Sequence, residues 1–267
     1  MATGETDVSQ YRTFLLLGWD GRSLQWASGQ AGTIDKVGEE AALDAAAFAE
    51  ACSQLKNKGL GDESVVFHHR HAFFTSSPAS VSKGHEEQLM SLHLGAQSST
   101  QANQYFHSDA FGDELAVMER WESRGLKSTV QILWPHARFE SSTLRWIEKI
   151  GADSRNVTGP LIAVDIGVHR ALLARLDQGR LMWAMVTEDL EGEGLLYHIV
   201  NAMHRDGLEP ANSESKIVLS GEVERGDAWT LAFERFFNHV EIVELDMNVS
   251  GIKTQRWALH SQLFTCA

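Results

Sequence analysis

The chain has 267 residues, 43% of them hydrophobic and 22% charged, with four prolines and two cysteines, Cys52 and Cys266. At that length roughly three quarters of the unfolded surface is buried on folding, so no disulfide or metal is needed for a core, and two cysteines exclude a secreted disulfide scaffold. The formal net charge of −13 repels a nucleic-acid backbone unless a basic patch overrides it, and the densest basic stretch, Arg120 to Lys127, is interrupted by Glu122.

Residues 1–10 are polar, with Glu5 and Asp7 and no positively charged leader. The apolar run Phe14–Leu17 is far too short for a signal core or a membrane span. A cytoplasmic location is expected, with no membrane insertion and no nucleic-acid partner. Tyr11 to Trp19 reads as a strand, Asp20-Gly21 as a tight turn and Ser23 to Ala27 as the return strand. Ala41 to Leu55 is Ala-rich and sets Leu43, Ala47, Ala51 and Leu55 on one helical face. Ser64 to Phe74 alternates like a strand, Thr75 to Ser82 is a Ser/Pro loop, and His85 to Leu94 a short helix. A strand is expected near Gln104–His107, a helix over Phe111–Ser123, a strand over Thr129–Trp134 and a helix over Glu140–Ile150.

Gly151 to Pro160 collects Gly, Asp, Asn and Pro and is the best boundary. After it the opening theme returns: strand Leu161–Ile166, turn Gly167–Arg170, strand Ala171–Leu176, turn Asp177–Gly179, strand Arg180–Val186. A helix over Gly194–Arg205 follows, capped by Gly207, then a strand at Lys216–Leu219, a helix over Asp227–Asn238 and a strand over Val240–Leu245. Trp257 and Leu263 predict that the tail after Asp246 docks. Two similarly patterned halves imply a duplicated α/β fold with a cleft between lobes.

Chemistry-bearing clusters are few. His68-His69-Arg70-His71 is the densest, and on a strand His69 and His71 share a face, where two imidazoles chelate a metal if a third ligand converges. Cys52 falls in an apolar helix and reads as a small core residue. There is no nucleophile elbow, no P-loop and no Gly-x-Gly-x-x-Gly. Trp134-Pro135 and Phe236-Phe237 lie at element ends, where exposed aromatics would line a partner surface.

Ala163-Val164-Asp165-Ile166-Gly167, followed by Leu172–Leu176, resembles the Asp-x-Gly hairpin of actin-like proteins, whose turn faces a nucleotide phosphate. Ile217-Val218-Leu219-Ser220-Gly221-Glu222 resembles their strand-to-glycine element near the adenosine. More narrowly, the element order is similar to the uncharacterised bacterial domain-of-unknown-function family 3822, which shares that fold. The matching features are the Asp177–Gly179 turn, the strand around Trp183, Tyr197, Gly207-Leu208-Glu209-Pro210 and Leu219-Ser220-Gly221. The resemblance implies an α/β, two-lobed, duplicated actin-like (ribonuclease H-like) fold, with lobes over 11–155 and 156–267. It also implies a nucleotide site at Asp165, Gly167, Val168, His169, Ser220 and Gly221, for ATP with Mg²⁺.

The first hairpin departs from that pattern: Leu17-Gly18-Trp19-Asp20-Gly21-Arg22 lacks the spacing, and Trp19 is bulky where a phosphate needs backbone access. In the second half Glu222 follows Gly221, where a carboxylate repels a triphosphate. The expectation is a degenerate nucleotide site with no catalytic residue and no resident cofactor, in a scaffold or adaptor that binds another protein. Two alternatives stay open: an ATP-binding switch or ATPase using the Asp165/Gly167 hairpin, and a metal module at His69 and His71. The oligomeric state is not readable from the sequence.

Overall fold

The computed structural model describes residues 13–30, 33–78, 80, 84–94, 115–121, 125–190, 193–210, 214–245, 253–261 and 263. The chain builds two five-stranded sheets of matching topology. The first contains β1 (Thr13–Trp19), β2 (Ser23–Gln30), β3 (Thr33–Ala41), β4 (Ser64–His69) and β7 (Arg138–Phe139), in the order β3-β2-β1-β4-β7. The second contains β8 (Leu161–Ile166), β9 (Ala171–Asp177), β10 (Arg180–Thr187), β11 (Lys216–Gly221) and β12 (His239–Ile242), in the order β10-β9-β8-β11-β12. In both, the first three strands form an antiparallel meander, and the two later strands add in parallel on the other side. Phe14–Ala27 and Leu161–Val186 thus occupy equivalent places in separate sheets.

The central strands are mostly apolar along their length because both faces of each sheet are covered, with polar residues at their C-terminal ends. Over the first sheet, α1 (Ala45–Asn57) and α3 (Leu126–Leu133) bury Phe48, Ala51, Cys52, Leu55, Leu126 and Val130 against Leu15, Leu17 and Phe67. Asp44 starts α1 by accepting from the amides of Ala46 and Ala47. The buried face of α1 runs through Phe48 rather than the expected Leu43, which precedes the helix and is 66% exposed. On the opposite face, Phe14, Leu16, Ala27, Ile34 and Val66 are covered by Trp257 and Leu263, so the tail docks as expected.

In the second sheet, α5 (Gly194–Arg205) and α6 (Ala228–Glu234) cover one face through Leu195, Ile199, Met203 and Phe233. The other face is covered by α4 (Ser142–Ser154), and by a separate ribbon of β5 (Phe73–Pro78) and β6 (Leu115–Arg120) that contributes Phe74 and Val117. Among the described residues, further helices are α2 (Glu86–Leu94) and α7 (Ala258–Ser261), the latter preceded by a 3₁₀ turn at Thr254–Trp257.

Several local expectations are corrected. Leu115–Arg120 is a strand paired with β5, not part of a helix, and Leu126–Leu133 is a helix, not a strand. Thr75 to Pro78 is strand rather than loop, and β3 lies where no element was expected. Trp134 is fully buried and its indole donates to the Leu60 carbonyl, and Phe237 is 4% exposed, so these two rings do not line a surface, whereas Phe236 is 38% exposed. The expected strand at 104–107 lies outside the described residues.

Candidate functional site

The two sheets meet at the C-terminal ends of β4 and β8. Asp165 is the penultimate residue of β8, paired on one side with Leu172 and on the other with Ser220 of β11. Its side chain is wholly buried. A buried carboxylate requires hydrogen-bond donors and a countercharge. Ser220 Oγ donates to Oδ2 at 2.6 Å, His71 Nε2 lies 2.6 Å from Oδ1, and Arg70 Nη2 stands 3.8 Å from Oδ1.

His71 and Arg70 come from the other sheet. The ladder of β4 ends at His69, and His71 adopts a left-handed φ of 48°. This breaks the strand alternation that placed His69 and His71 on one face. Arg70 is held by its amide to the Trp19 carbonyl at 2.8 Å, and Nη1 donates to Gln25 Oε1 at 2.5 Å. Ser142 Oγ donates to the His69 carbonyl, tying the start of α4 to the same turn.

Electrostatics follow from this packing. Burial pushes the Asp165 carboxyl up, but the His71 hydrogen bond and charge, Arg70 and Ser220 outweigh it and hold it below its ordinary value. Burial is the first cause acting on His71 and, with Arg70 beside it, holds the imidazole below its ordinary value despite Asp165. The consistent state is an ionised Asp165 paired with Arg70⁺ and receiving a proton donor from neutral His71. The order is Ser–Asp–His, with no Ser220–His71 contact, so it lacks the base-activated hydroxyl of a hydrolase.

The residues expected to bind phosphate are brought together. Gly167, Ser220 and Gly221 are buried around Asp165, His169 is half-buried, and Val168 is 53% exposed at the turn. Two of the backbone donors at this turn are already engaged: Gly167 N–H bonds the Arg170 carbonyl at 2.8 Å, and Glu222 N–H the Ile166 carbonyl at 2.6 Å. Gly167 lies against the His71 ring, since a Cβ there would sit 2.5 Å from His71 Cε1. Gly221, at φ 91°, lies so close to β8 that a Cβ would sit 2.0 Å from the Ile166 carbonyl oxygen.

The first sheet carries the converse arrangement. Ladder ends place Gly18-Trp19-Asp20 where the second sheet has Asp165-Ile166-Gly167. The Asp20 carboxylate accepts from the Arg22 and Ser23 amides at 2.9 and 2.8 Å, and so closes its own turn. The Trp19 indole is buried and donates to the Ala42 carbonyl. Among the described residues no group of three His, Cys, Asp or Glu side chains is placed to hold a metal, and His71 Nε2 is committed to Asp165 rather than to a site shared with His69. Sequence reasoning singled out both Asp165 and the histidine cluster but did not join them. The available signal was the charge of Arg70 beside three histidines in a stretch read as an alternating strand.

No protein-family model matches the chain, and no curated protein matches it in sequence. Solved structures match its fold. A Bacteroides thetaiotaomicron VPI-5482 protein with an actin-like ATPase fold and unknown function aligns over 100% of both chains, at a TM-score of 0.75 and 13% identity. The type IV pilus biogenesis complex PilM–PilN matches over 94% of this chain and 97% of the other, at 0.57 and 13%. The ethanolamine utilization protein EutJ from Carboxydothermus hydrogenoformans matches over 95% and 89%, at 0.51 and 9%. The chain therefore has an actin-like ATPase fold, as its two sheets imply.

Proposed function

We propose that this chain is a non-catalytic, cytoplasmic scaffold or adaptor of actin-like fold whose nucleotide site is degenerate and filled by its own side chains. The observation that carries this reading is the engagement of Asp165: its oxygens are bonded by His71 and Ser220, with Arg70 beside them and no solvent exposure. A Mg²⁺ ion needs free carboxylate oxygens plus phosphate and water, and a phosphate needs free amides in a close-approach turn. Here the amides of Gly167 and Glu222 are spent on backbone carbonyls. On the first-sheet side, Trp19 and the self-capped Asp20 offer no complementary cradle.

A protein partner is the corollary, and the like-folded PilM–PilN assembly supports it as a use to which this architecture is put. The proposal keeps the lobes at 11–155 and 156–267 and the likeness to domain-of-unknown-function family 3822. Isothermal titration of the protein with ATP and Mg²⁺ tests the reading. The expected result is no binding tighter than millimolar. Micromolar binding that Asp165→Ala abolishes would favour the switch or ATPase that uses the Asp165/Gly167 hairpin.

A further inference from the structure

The duplicated topology gives the protein two equivalent sheet edges, β3 and β10, and they differ in chemistry. An edge strand exposes a row of backbone donors and acceptors, and soluble proteins guard such edges with charges. β3 is guarded: Thr33–Ala41 carries Asp35, Lys36, Glu39 and Glu40. β10 is not: Arg180–Thr187 has its one charge at the first residue, and Leu181-Met182-Trp183-Ala184-Met185-Val186 follow without interruption. Among the described residues β10 pairs in its sheet with β9 alone, and the Trp183 indole donates to Asp206 Oδ2 at the end of α5. Beside it, against α5, lies a groove of about 320 Å³ lined by Met182, Trp183, Met185, Ala202, Arg205 and Asp206. Met182, where the ladder to β9 slips, is 46% exposed.

We propose that β10 is the joint of a symmetric dimer, pairing antiparallel with β10 of a second copy of this chain about a twofold axis at Ala184. The inference is independent of whether the cleft binds nucleotide. What selects a second copy is self-complementarity. With Ala184 opposite its own counterpart, Trp183 of each copy faces Met185 of the other, an aromatic–thioether pair on the groove side. Met182 faces Val186, and Arg180 at the start of one strand faces Glu188 just past the end of the other, so opposite charges meet at both ends of the joint. The Glu188 carboxylate pairs with Arg170, but its side chain is 61% exposed and stays reachable. A strand pair alone buries less than the roughly 1,200 Å² of a stable interface. The proposed joint therefore draws also on α5, whose Ala202 and Arg205 line the groove beside β10.

Sedimentation equilibrium of the full chain across the micromolar range tests the joint. The expected mass is that of two chains, and Met182→Lys weakens the association by roughly tenfold or more while leaving circular dichroism and melting temperature unchanged. Ala184→Cys in a Cys266→Ser background, treated with a short bifunctional thiol reagent, gives a covalent dimer. A chain that stays monomeric, a dimer that Met182→Lys leaves intact, or a dimer in which Ala184→Cys does not cross-link overturns the proposal.

Discussion

His71 Nε2 lies 2.6 Å from Asp165 Oδ1 although 94 positions separate the two residues, and neither side chain reaches solvent. This contact ties the end of β4 to the end of β8, one strand from each sheet. Removing one partner of a buried pair leaves the other without its donor, which costs about 3–5 kcal/mol. His71→Ala is therefore expected to lower unfolding stability by that amount in urea titration. A loss below about 1 kcal/mol, the value of an exposed pair, would show that the contact does not bind the sheets together.

Acid weakens the fold through the same segment. Burial is the first cause acting on His68, His69 and His71, and all three are held below the ordinary imidazole value, His69 at about 4. In the unfolded chain each imidazole takes up a proton near pH 6.5. The unfolded state therefore binds more protons, and stability is lost as pH falls from about 6.5. For His69 alone the loss down to pH 4 is about 3 kcal/mol. Melting temperature is expected to be flat above neutral pH and to fall steadily through this window; a flat profile to pH 4 would contradict the burial of these rings.

Two glycines separate packing from backbone freedom. Gly21 has φ 100° and open space around the position of a Cβ, so Gly21→Ala costs only the strain of its turn, about 1 kcal/mol. Gly167 has an ordinary φ, but a Cβ would meet His71 Cε1 at 2.5 Å and the Arg170 carbonyl oxygen at 2.8 Å. Gly167→Ala is expected to cost about 1–3 kcal/mol and to shift the imidazole resonances of His71 in NMR spectra, which Gly21→Ala leaves in place.

Ion pairs and an apolar contact both help hold the segment after Lys253. Arg256 reaches Glu39 of the first sheet at 2.7 Å and also Glu222 of the second, with all three side chains partly exposed. Trp257 is 3% exposed under the first sheet. Chemical denaturation is expected to show a loss of about 1 kcal/mol or less for Arg256→Ala and about 3–5 kcal/mol for Trp257→Ala. The reverse order would make the ion pairs, not the apolar contact, the anchor.

Legibility in the sequence followed physical locality. Leu161–Ile166 and Ala171–Asp177 are strands buried on both faces, and an apolar run, an alternating one and the tight turns after them announced them. Leu126–Leu133 misled because Thr129, Val130 and Ile132 are β-branched, whereas its helical state follows from packing Leu126 and Val130 onto the core beside α1. Leu115–Arg120 misled in the other direction, since its partner β5 lies some forty positions earlier. In the candidate site Asp165, Gly167, Ser220 and Gly221 were legible from local motifs. The contact of Asp165 with His71 was not, because the left-handed turn at His71 has no local signature and its partner is in the other half of the chain.

The docking of Trp257 and Leu263 under Phe14 and Leu16 has a kinetic consequence. Strand β1 waits for cover from residues made more than two hundred positions later. Contacts of such long separation slow folding, and until they form, the underside of the first sheet is an open apolar surface. During synthesis this protein should therefore be a chaperone client whose first half cannot finish early, and pulse-chase proteolysis should find that half protected only after residues beyond 253 have left the ribosome.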